Sequence, residues 1–249
     1  MLVQPQQGIE KAGPQVPWRL RDLGLAIGWV VAAGIFVGIV LGILFAAVEG
    51  LSDDAEMAVG LGTGLALYVA LVGAVAWFSV RRYSCGWQAL GFRPAVRGGW
   101  WLPVAVAVAF LVAAHVVWVI YVLIVELLGI GGLVPEGNLP EGMFDNPLIL
   151  PLVAVVVLVA APIAEETFFR GFLFPTLRVR WGIFWAALAS GLLFGAFHFN
   201  LGLLIPFTVI GMLLAYAYAF SGSLWTSIFA HFAFNTIGFV WGVASGGGS

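Results

Sequence analysis

Glu165-Glu166-Thr167-Phe168-Phe169-Arg170 lies inside an apolar stretch, about residues 147–176, that is long enough to cross a membrane. Ionisable side chains at that depth are costly and mark a functional site by default. Two further polar patches interrupt apolar stretches downstream, Phe194-Gly195-Ala196-Phe197-His198 and His231-Phe232-Ala233-Phe234-Asn235. All three fall in the last third of the chain, so their polar groups are candidates for one buried site.

The rest of the composition leaves no soluble alternative. Of 249 residues, 62% are hydrophobic and 9% charged, and the mean hydropathy is +1.08. These values point to an all-α polytopic membrane protein. A net charge of −2 gives no reason to expect nucleic acid as a partner. The single cysteine, Cys85, excludes an internal disulfide and reads as a free thiol. Residues 1–22 begin with Pro5, Pro14 and Pro17 among Gln and Gly, lack an apolar core, and read as a flexible cytoplasmic tail rather than a signal peptide. Residues 245–249, Ser-Gly-Gly-Gly-Ser, read as a linker remnant.

About seven transmembrane helices are expected, near 23–48, 57–80, 100–129, 147–176, 181–200, 202–220 and 223–244. Lys11, Arg19, Arg21, Arg81, Arg82, Arg93, Arg97, Arg178 and Arg180 fall on one face of that arrangement. Glu49, Asp53, Asp54, Glu56, Glu136, Glu141 and Asp145 fall on the other. The positive-inside rule then puts the N-terminus in the cytoplasm and the C-terminus outside. Gly34, Gly38 and Gly42 in the first span, and Gly60 and Gly64 in the second, read as stripes for close helix packing. Trp100, Trp101, Trp181 and Trp225 stand at span starts, as interfacial anchors do.

Helical spacing sorts the polar groups. Glu166 and Arg170 are four apart and can pair along one helix face, leaving Glu165 to point elsewhere. His231 and Asn235 are also four apart, so both can donate to one oxygen, an arrangement suited to an oxyanion. His198 ends an apolar helix with Phe194 one turn before it to wall its ring. Together these groups suggest hydrolysis, with Glu165 and His198 taking a proton from water and His231 and Asn235 steadying the tetrahedral oxygen. One Glu and two His, here Glu165, His198 and His231, also form a zinc set with a place for water, although no His-Glu-x-x-His helix is present. The version without a metal or other cofactor is ranked slightly ahead. His115 stands alone in the third span and reads as structural, and Glu126 as reaching the interface.

The order Glu-Glu-x-x-x-Arg, Phe-x-x-x-His, His-x-x-x-Asn resembles the CPBP family, also called the CAAX protease, bacteriocin-processing or Abi family. Gly171 and Gly222-Ser223-Leu224-Trp225 fit its pattern too. The resemblance marks 147–244 as the catalytic helical core, with 23–129 forming the N-terminal transmembrane helices. It implies an intramembrane endopeptidase in a bacterial cell membrane. Glu165 would activate water with help from His198, His231 and Asn235 would form the oxyanion donors, and Glu166 and Arg170 would support them. It implies a peptide or protein substrate, with or without a lipid group. Two other classes share the sequence features: a non-catalytic scaffold or bacteriocin self-immunity protein of the same fold, and a proton-coupled transporter, for which paired repeats are missing.

Depth is the difficulty for a joint site. Counted from span ends at 176 and 180, Glu165 comes out roughly 16 Å deep and His198 roughly 27 Å, with His231 at roughly 12 Å. A common site therefore requires the fifth span to form a short hairpin with the sixth that ends within the protein, with irregular backbone at Asn200, Gly202 and Pro206.

Overall fold

The structure, a computed structural model, describes residues 16–48, 50–96, 99–135 and 142–245. The start of the expected tail, most of the expected linker remnant, and Lys11, Glu49, Arg97, Glu136 and Glu141 lie outside the described residues. Within them the chain is helical and without strands. Six helices are long and apolar enough to cross a membrane: α1 (Leu20–Ala47), α2 (Asp53–Arg81), α3 (Gly99–Leu128), α4 (Leu150–Phe197), α5 (Leu201–Ser221) and α6 (Leu224–Ala244).

The two spans expected at 147–176 and 181–200 are one helical tract, α4, broken at Gly182. Gly182 has φ 75° and ψ 177°, a conformation that only glycine adopts without strain. Two arms result, 150–181 and 183–197, and Ser190 Oγ donates to Phe169 O across them at 3.3 Å. The second arm is about 22 Å long by its residue count, short of a roughly 30 Å hydrocarbon core. Seven helical rods are therefore present, one of them short.

This break removes the depth discrepancy. The helix carrying Glu165 continues to residue 181 rather than ending near 176. Glu165 then stands roughly 17 residues before the bend and His198 roughly 16 after it, so both lie about 25 Å from it. The short hairpin with α5 is present, but Pro206 is buried inside regular α5. Backbone irregularity is confined to Phe199, at φ 51°, and Asn200. Asn200 caps α5 by accepting from the Gly202 and Leu203 amides at 2.9 and 3.3 Å. The 129–135 loop folds back over this turn. Tyr121 donates to Leu133 O at 2.9 Å, and a Cβ on Gly202 would sit 2.5 Å from Val134 O.

Side-chain bonds tie one end of the bundle together. Asp22 at the start of α1 accepts from Tyr83 and pairs with Arg82 at 3.2 Å. The Tyr83 phenol is held above its ordinary range because it donates to that carboxylate. Leu224 N donates to Gly91 O and Val96 N to Ser221 O, joining the α5–α6 turn to the same end. Trp100, Trp101, Trp181 and Trp225 are exposed, as anchors should be.

The glycine stripes of α1 and α2 do not serve packing within the chain. A Cβ on Gly38, Gly42, Gly60 or Gly64 would meet nothing within 4 Å, and on Gly34 only a Leu67 methyl at 3.8 Å. The close approach is between the second arm of α4 and α5. A Cβ on Gly191 would lie 2.3 Å from Thr208 O, and one on Gly211 would lie 2.8 Å from Gly191 Cα. Gly191→Ala is accordingly expected to destabilise by about 1–3 kcal/mol through overpacking. Gly38→Ala should be neutral or gain up to about 1 kcal/mol from helix propensity. Thermal unfolding in detergent checks both, and equal shifts would remove the packing role given to Gly191.

Candidate active site

The first arm of α4 is not a uniform α-helix. Its hydrogen-bond ladder widens to i→i+5 over Val155–Ala160 and again over Thr167–Leu173. Such π segments often sit at functional sites because each shifts the helix face that follows. Between them lie Pro162, Glu165 and Glu166.

Glu166 and Arg170 pair as their spacing implied, with Arg170 Nη1 donating to Glu166 Oε1 at 2.7 Å. Both are fully buried. Arg170 Nη2 donates to Gly211 O at 3.0 Å, a carbonyl within reach because α5 packs so closely. Its guanidinium stands 4.4 Å over the Phe194 ring, which suits a desolvated cation.

His231, on α6, is 5% exposed and lies between the two glutamates. Its Nδ1 is 3.0 Å from Glu166 Oε1 and its Nε2 is 4.0 Å from Glu165 Oε2. The first distance is a hydrogen bond. The second is too long for one, yet short enough for a single water to touch both groups. Glu165 is 2% exposed and its Oε2 has no hydrogen-bond partner. Glu166 Oε2 and Arg170 Nε are likewise without partners. Unpartnered buried polar atoms are rare enough to mark a strained or reactive place.

His198 closes the second arm of α4, with Nδ1 2.9 Å from Phe194 O. Its ring meets Phe207 edge to face at 4.5 Å and Phe194 at 5.0 Å. Phe194 also touches His231, at 5.7 Å between ring centroids. One phenyl ring therefore packs against both imidazoles and the guanidinium, which brings His198 into the same buried cluster.

Asn235 is placed differently from a free pair with His231. Its Nδ2 donates to Val157 O at 2.9 Å, leaving one amide hydrogen and the carbonyl oxygen. His115 bonds Leu111 O at 2.8 Å and packs on Phe234, which is a structural role. Sequence reading overlooked Tyr68, whose hydroxyl faces the Glu165 carboxylate from α2. A tyrosine in an apolar helix gives no signal until its neighbour is known.

Zinc would need Glu165, His198 and His231 to converge on one point. Among the described residues no three His, Cys, Asp or Glu groups do so. As arranged among the described residues, the donor set does not fit the ion.

Residues 147–237 match the family described as Type II CAAX prenyl endopeptidase Rce1-like. That stretch is similar to the core of the CPBP family. The Rce1-like core contains every polar residue of the site except Tyr68. A relative from Bacillus subtilis (strain 168), described as "Putative membrane peptidase YdiL", is 33% identical over 105 residues. The match covers 42% of this chain and 43% of the relative, so it spans less than half of that protein's length. No solved structure matches. Its six long apolar helices make the chain a polytopic integral membrane protein.

Proposed function

We propose that the chain is an intramembrane endopeptidase that hydrolyses a peptide bond of a membrane-associated peptide or protein in a bacterial cell membrane. The observation that carries this reading is the Glu165 carboxylate oxygen, which is buried, unpartnered, and 4.0 Å from His231 Nε2. Water bridging that gap has a base on one side and a donor on the other. Glu165, with His198 beside it, takes the proton as the water oxygen attacks the scissile carbonyl carbon. His231, steadied through Nδ1 by Glu166, donates from Nε2 to the developing oxyanion. Asn235 adds its remaining N–H. Collapse breaks the C–N bond, and the proton held at Glu165 goes to the leaving amine.

Arg170 balances Glu166, so the second carboxylate can orient His231 without competing for the water's proton. An apolar groove of about 380 Å³ runs along α3, α4 and α6, lined by Leu158, Pro162, Ile163, Ile228 and Phe232. It gives a greasy substrate segment a lateral route toward the same helices. Purified protein in lipid, incubated with a peptide library with and without chelator, should release defined fragments in both conditions by mass spectrometry. Fragments only without chelator would overturn the metal-free mechanism. Binding without cleavage would return the chain to the scaffold or immunity class.

A further inference from the structure

The Val157 carbonyl has lost its helical partner. Across Val155–Ala160 the ladder runs i→i+5, and Ala161 N donates to Val156 O. The next donor in that series is residue 162, which is proline and has no N–H. Asn235 Nδ2 donates to Val157 O at 2.9 Å, from a helix 78 residues further along the chain. A carbonyl in an apolar helix cannot be left to water, so the vacancy has to be met from another helix.

We propose that Asn235, besides the N–H it lends to the oxyanion, is a positioning residue: its other N–H replaces the one that Pro162 lacks and so fixes the widened turn of α4 that aims Glu165. Glu165 follows Pro162 by three residues, less than one helical turn. A change in the winding at 157–161 therefore swings the carboxylate around the helix axis, away from its place beside His231 Nε2. Pro162 and Asn235 form one device. The proline stops the i→i+5 ladder at a defined residue, and the asparagine pins the carbonyl that this stop exposes. The kinetic part of this inference rests on the reading of Glu165 as the group that activates water.

Asn235→Ala, Pro162→Ala and the double variant are compared with wild type for thermal unfolding in lipid nanodiscs. For a peptide that wild type cuts, kcat and KM are measured as well. Asn235→Ala should lower Tm by several degrees and kcat by about 100-fold or more, with KM within about threefold. Pro162→Ala introduces a backbone N–H beneath Val157 O. In the Asn235→Ala background it should restore most of the lost Tm and raise kcat at least about tenfold. Additive effects on Tm would overturn the inference. So would recovery of Tm with no recovery of kcat, which leaves Asn235 acting on substrate alone. If wild type cuts no peptide in the library, the protease reading fails instead, and the Tm cycle still decides whether Asn235 fills the proline gap.

Discussion

Glu165→Ala and Glu165→Gln are both expected to lower peptide cleavage by roughly 100- to 10,000-fold, the range over which a positioned general base contributes. Glutamine keeps the shape of the side chain and cannot take a proton, so its loss should match that of alanine. Stability should move the other way. Glu165 Oε2 is buried with no partner, and such an atom is a standing penalty to the folded state. Both variants should therefore unfold at the wild-type temperature or a few degrees above it, the trade between activity and stability seen at strained sites. Cleavage is read by mass spectrometry and unfolding by tryptophan fluorescence, since Trp18 is buried in the main core. Turnover within tenfold of wild type would remove Glu165 from the chemistry. A large fall in Tm would instead make it part of a structural ion lock.

Hydropathy and spacing were enough to place the helices and the pairing of Glu166 with Arg170, because both follow from short-range geometry along one helix. They were not enough to place His198. The continuity of α4 past residue 176 depends on Arg178, Arg180 and Trp181 staying helical, although their polarity resembles that of a loop. The turn itself is a single glycine, Gly182, and one residue leaves no mark on a hydropathy profile. The glycines of α1 and those of α4 and α5 all lie in apolar helices, with opposite outcomes. Gly38 faces open space and Gly191 faces a carbonyl, and only tertiary structure separates them. The same holds for Asn235. Pro162 announces a missing donor, yet which of the later side chains fills the gap depends on how α6 lies against α4.

Arg170→Met is expected to destabilise the protein more than any other single change at the site, by about 3–5 kcal/mol. Arg170 and Glu166 are fully buried, and the guanidinium is held by Glu166 Oε1, Gly211 O and the Phe194 ring. Methionine fills much of the same volume, so lost packing is not the main term. What remains is a Glu166 carboxylate whose other partner among the described residues is His231, together with a Gly211 carbonyl left without its donor. Whole-protein stabilities are about 5–15 kcal/mol, so a loss of this size takes a third or more of the total in many cases. The companion variant Glu166→Gln, combined with Arg170→Met, removes the stranded charge. If the penalty comes from the unbalanced carboxylate, the double variant should be more stable than Arg170→Met alone by about 1 kcal/mol or more. It should still be inactive, because His231 then loses the carboxylate that orients its ring. Denaturant unfolding in detergent gives the stabilities. A double variant no better than Arg170→Met would mean that Arg170 acts through α5 and Phe194, as a packing post between helices, rather than through the charge of Glu166.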